Sequence, residues 1–83
     1  MTQNTWETLA ANILKAELAK RGMKYNDLEA KLAKIGVEHS SSMIRQKIFR
    51  GSFTFAFLLQ CLKAMDVQNL SLLDYFQQIE RNE

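Results

Sequence analysis

The sequence predicts an all-α domain of five short helices, and three observations carry that prediction. Apolar residues recur at spacings of three and four through most of the chain, the period of a helix with one buried face. Three glycines, Gly22, Gly36 and Gly51, each close one such run, where helices commonly end in the left-handed conformation. No stretch of four or more residues alternates apolar and polar between turn signals as a half-buried strand would, and the chain has no proline.

The elements follow in order. The first helix is expected over about residues 6–21, with Thr5 as its N-cap and Trp6, Leu9, Ala10, Ile13, Leu14 and Leu18 as its apolar stripe. Trp6 is expected to pin it to the core. The second, over about 27–35, has Asn26 as cap and Glu29 three residues on as a box-like partner, with Leu28, Leu32 and Ile35 facing inward. The third, over about 41–50, starts in the cluster Ser40, Ser41 and Ser42, any of which can cap it. Ile44 and Ile48, one turn apart, hold it to the body, and Gly51 ends it. The fourth, over about 54–65, is apolar on most sides, with only Gln60 and Lys63 breaking the ring, so it is central or meets a partner. Phe55 and Leu59 share one of its sides and are the candidates for a dimer contact. Asp66 follows it and suits a left-handed residue. The fifth, over about 71–81, starts near Ser71 with Asp74 as box partner, and Leu72, Leu73, Phe76 and Ile79 are its expected inner face.

A length of 83 residues allows one domain, spanning residues 1–83, that buries only about 60% of its unfolded surface. Its 47% hydrophobic and 24% charged residues are ordinary for a globular chain, and no apolar run is long enough to span a bilayer. The opening MTQNTWETLA has neither a basic start nor an apolar core, so no secretion signal is expected. With a lone Cys61, read as a small buried apolar residue, the expected compartment is the cytoplasm. One cysteine and one histidine, His39, make no zinc site, and no glycine-rich phosphate loop or H-E-x-x-H occurs. No cofactor, no metal and no enzymatic activity are expected.

The net charge of +2 conceals its distribution. Residues 1–38 are nearly balanced, and residues 66–83 carry Asp66, Asp74, Glu80 and Glu83 against Arg81. Between them, residues 39–65 hold Arg45, Lys47, Arg50 and Lys63 and no acid. A cationic stretch free of acids suits a polyanion, because each neutralised phosphate releases counterions. With Ile44 and Ile48 turned inward, Met43, Gln46, Lys47 and Arg50 fall on the opposite side of the third helix. That is the construction of a recognition helix. Gln46 suits adenine and Arg50 guanine, Ser40 to Ser42 and the N-terminal amides suit phosphates, and Arg45 and Lys47 flank the face. The plainer reading of the same residues is a helix cap and a solvated surface.

Residues 12–67, from NILKAELAKRGMKYNDLEAKLAKIGV through SSSMIRQKIFRG to FLLQCLKAMDV, resemble lambda-repressor-like helix-turn-helix domains. RGMKYNDLEAKL is similar to the end of the first and start of the second helix in that family, and IFRG to the close of its recognition helix. The whole chain also resembles a small family of uncharacterised bacterial proteins, a domain of unknown function, through WETLAANILKAELAKRG and KIFRGSFTFAFLLQCLKA. Against the helix-turn-helix pattern, AKIGVEHSSS is longer than the usual turn, Phe49 stands where an acid is common, and Glu17 occupies a position usually apolar. A Glu there implies an internal ion pair, for which Arg45, near the inward edge of the third helix, is the expected partner. The resemblance implies double-stranded DNA as partner, a role in transcription regulation, and a homodimer placing two recognition helices about 34 Å apart. The alternative is a protein-interaction module that keeps the fold and does not bind DNA.

Overall fold

A computed structural model describes the backbone of residues 3–82 and the side chains of residues 5–78. It is all-α. The five helices are α1 (Gln3–Lys20), α2 (Tyr25–Lys34), α3 (Ser41–Arg50), α4 (Phe55–Ala64) and α5 (Leu72–Asn82), and no strand occurs among the described residues. The expected Ile79 contact and the acidic end of the tail lie outside the described side chains.

One core is built from matched pairs, each spaced one turn apart. Leu14 and Leu18 of α1, Leu28 and Leu32 of α2, Ile44 and Ile48 of α3, and Phe57 and Cys61 of α4 meet with Met65 beyond the end of α4. Since each pair sits on one stripe of its helix, the four stripes close on one another as layered packing requires. Helix α3 lies against α1 and α2, and α2 also packs on α4. A smaller cluster of Leu9, Ile13 and Tyr75 joins α5 to α1.

The ends of the helices follow local chemistry. Ser40 caps α3 by accepting the Met43 N–H at 3.1 Å, and Thr54 caps α4 by accepting the Phe57 N–H at 3.0 Å. Gly51 closes α3 at φ 70°, and a Cβ there would stand 1.9 Å from the backbone oxygen of Glu7, so the chain runs directly against α1 at this point. Asp66 takes the left-handed conformation at φ 59°.

Several expectations are corrected. Thr5 lies inside α1, which begins at Gln3, and so is not its cap. Helix α2 starts one residue before Asn26, and it is Asp27 that serves its N-terminus, accepting the Lys24 N–H at 2.8 Å. Ile35 falls beyond the last turn of α2 and is exposed. Trp6 is 46% exposed; it meets the edge of Phe76 at 6.5 Å on the surface instead of anchoring α1 in the core. Leu72, Leu73 and Phe76 are exposed, and among the described residues of α5 it is Tyr75 that is buried.

The reason for that rotation is Glu17. Its carboxylate is buried and takes hydrogen bonds from Arg21 at 2.8 Å, from Lys20 at 3.1 Å and from the Tyr75 hydroxyl. Arg21 also reaches the Met65 carbonyl at 3.2 Å, so the cluster ties α1, α5 and the end of α4 together. The expected Glu17–Arg45 pair does not form. The nearer cations one turn along α1 take the carboxylate, and Arg45 is exposed on α3 with no ion pair among the described residues.

Candidate nucleic-acid interface

Four of the residues singled out on α3 converge. Met43, Gln46, Lys47 and Arg50 line one side of a shallow groove of about 320 Å³. Ser52, Phe53 and Thr54 from the link to α4 line the other. The link belongs to the surface because Gly51 turns the chain back along α3. The sequence reading did not assign these three residues, although Ser52 and Thr54 put two hydroxyls beside the cations.

The electrostatics of this face are one-signed. Gln46 and Arg50 are exposed, and neither Arg45, Lys47 nor Arg50 is ion-paired among the described residues. Lys47 sits lower than expected. It is half-buried, with its ammonium 5.1 Å from the centre of the Phe57 ring, because it stands at the border of the face that Ile44 and Ile48 turn inward. Met43 is 47% exposed, as an outward position on α3 requires. Lys15 of α1 adds a cation from outside the basic segment, 4.8 Å from the ring centre of Phe49. Only tertiary packing could reveal that placement.

The three serines are placed differently from the rest. They lie at the N-terminus of α3 and do not line this groove, although Ser42 lines a second one with Arg45, Gln46, Phe49 and Arg50. Ser40 is occupied as the cap. The Ser41 N–H donates to the carboxylate of Glu29 at 2.7 Å. Glu29 thus serves α3 and not the start of its own helix, and it places a negative charge where a phosphate would approach.

Other chemistry is sparse. No group of three or more His, Cys, Asp or Glu among the described residues could hold a metal ion. Cys61 is a free thiol, fully buried, and burial pushes its pKa up to about 12. No helix among the described residues is long and apolar enough to cross a membrane. Phe55 and Leu59, one turn apart on α4, are 71% and 51% exposed.

The model of a family described as a domain of unknown function, DUF6471, matches residues 6–70. The chain belongs to that family. No curated protein and no solved structure matches it. In this DUF6471 domain the matched stretch takes in all of α2, α3 and α4, with most of α1, and stops before α5. The core pairs, the Gly51 turn and the whole cationic face therefore lie within the DUF6471 region, whereas Tyr75 lies outside it.

Proposed function

We propose that the domain binds double-stranded DNA as a helix-turn-helix protein of lambda-repressor-like arrangement, a small regulator of transcription, with α3 as its recognition helix. The observation that carries this reading is the outward side of α3. Gln46 and Arg50 are exposed there beside Lys47, and no carboxylate neutralises the cations among the described residues. The back of the same helix is fixed by Ile44 and Ile48 against α1 and α2, so the face is presented by a rigid support.

Glu29 modifies the contact. With the Ser41 amide taken and a carboxylate beside it, phosphate binding shifts from Ser40–Ser42 toward the later part of the helix and the link. Gln46 and Arg50 then meet base edges, while Lys47 and Ser52 meet the backbone of the duplex. A single small module makes few phosphate contacts. Pairing of two copies through Phe55 and Leu59 would supply the rest and set the α3 helices about one DNA turn, roughly 34 Å, apart.

The test is an anisotropy titration with duplex DNA at several salt concentrations. Arg50→Ala and Lys47→Ala should weaken binding and each lower the salt slope by about one. Slopes unchanged by both substitutions would sink the assignment. A second reading, an interaction module without DNA affinity, is favoured by the Glu29 carboxylate at the start of α3. In the same titration it gives no duplex binding, together with a self-association through Phe55 and Leu59 that salt does not disturb.

A further inference from the structure

Phe49 is 70% exposed in the middle of a cationic surface, and the duplex reading gives it no task. It stands one turn beyond Arg45 on α3. With Ser42, Gln46 and Arg50 the two residues line a second shallow groove, of about 270 Å³, across the Gln46–Arg50 ridge from the first. No carboxylate lines it. From α1, the Lys15 ammonium lies 4.8 Å from the ring centre, and Arg45 and Arg50 line the same groove as the ring.

An aromatic ring on a helix surface gains nothing from burial, and one lysine contact leaves most of the ring open to solvent. What does gain from such a ring is the flat face of an unpaired nucleobase. Stacking needs no particular hydrogen-bond pattern, because every base has a π-face, and cations around the ring hold the phosphates on either side. A fully paired duplex keeps its base faces stacked on one another and cannot offer one. An acidic peptide without apolar side chains would answer the charges and leave the ring unused.

We propose that the Phe49 groove is a stacking site for an unpaired base, with Lys15 and Arg45 as its phosphate contacts, so that the domain takes single-stranded nucleic acid beside its duplex surface. This inference shares with the duplex reading the charge of α3 and the Gln46–Arg50 ridge between the two grooves, but its ring and its Lys15 contact are its own, and either can fail alone.

The experiment compares the wild-type chain with Phe49→Ala and Phe49→Trp, using labelled oligo-thymidylate, a labelled duplex of equal length, and poly-glutamate. Because Phe49 is exposed, neither variant threatens the fold. Phe49→Ala should weaken oligo-thymidylate binding roughly tenfold and leave duplex binding within about twofold. Phe49→Trp should restore the affinity, and its emission should be quenched as the oligonucleotide is added. The proposal is overturned if the wild type does not hold the single strand, or if Phe49→Ala holds it equally well. It is also overturned if poly-glutamate binds as tightly and with the same dependence on Phe49, which would identify an acidic protein as the occupant. Loss of duplex binding alone would remove the duplex reading and leave this one standing.

Discussion

The carboxylate of Glu29 on α2 accepts the backbone N–H of Ser41, the first residue of α3, at 2.7 Å. Together with Ser40, which takes the Met43 N–H, it satisfies two of the amides that the start of a helix leaves open. It also puts a negative charge at the positive end of the helix dipole. The same contact joins the two helices of the turn, so it fixes how α3 is presented.

Two substitutions separate these effects. Glu29→Ala removes the acceptor and should cost about 1 kcal/mol of stability, the usual value of a lost cap. Glu29→Gln keeps an acceptor and removes the charge, so its thermal midpoint should lie close to the wild type. If a DNA phosphate approaches this helix end, Glu29→Gln should also tighten duplex binding by about two- to fivefold, the scale of one exposed charge pair. Unchanged duplex affinity in Glu29→Gln would place the DNA away from the start of α3.

Gly51 offers a different control on the same helix. At φ 70° any side chain costs roughly 1–2 kcal/mol, and here the added carbon would also meet the Glu7 backbone at 1.9 Å. Gly36 has a comparable φ of 83° with nothing within 4 Å of an added carbon. Gly36→Ala should therefore lose only the conformational share, and Gly51→Ala at least about 2 kcal/mol more, read as urea midpoints at equal slope. Equal losses would mean that α1 yields at Glu7 without cost.

What was legible in the sequence was whatever each helix encodes by itself. Leu28 with Leu32 and Ile44 with Ile48 carry their own period, and Gly51 carries its own stop, so the helices and the outward side of α3 could be read without a neighbour. What was missed depends on partners distant in sequence. Glu29 fits a local capping box, yet it serves the next helix. Lys15 belongs to a charge-balanced region and reaches the basic face only through packing. In α5 the apolar pattern favours Leu72, Leu73 and Phe76, but a buried carboxylate needs donors, and Tyr75 turns inward to supply one. A period cannot report that requirement. The helical period turns Lys47 outward, but the residue lies close to the boundary between the two faces, where the wheel discriminates least.

Cys61 tests the integrity of the core without any ligand. Its thiol is fully buried, and with the pKa pushed up to about 12 almost none of it is the reactive thiolate near neutral pH. An aromatic disulfide reagent should label the folded chain orders of magnitude more slowly than the unfolded one, and the labelled fraction should follow the urea transition. Fast labelling in the absence of urea would show that α4 opens locally.

The Glu17 cluster predicts how stability depends on pH. Burial alone would raise the Glu17 carboxyl, but the bonds from Tyr75, Lys20 and Arg21 outweigh it and hold the pKa below the ordinary 4.5. A carboxyl with a lower pKa in the folded state contributes stability above its unfolded value, and that contribution is lost as pH falls through the folded pKa. At the other end, the hydrogen bond to Glu17 raises Lys20, while burial followed by the Glu17 bond raises Tyr75. Both groups contribute below their ordinary values of 10.5 and 10.0, and both contributions are lost as pH rises past them. The wild-type chain should therefore hold a plateau between these limits and fall away below pH 4.5, more steeply than Glu17→Gln, which has no proton to bind there. Tyr75→Phe removes one donor from the carboxylate and should cost about 1 kcal/mol on the plateau. It should also flatten the acid limb, because Glu17 then titrates closer to its unfolded value. Acid limbs of equal slope in the wild type and Glu17→Gln would show that another carboxylate governs acid unfolding.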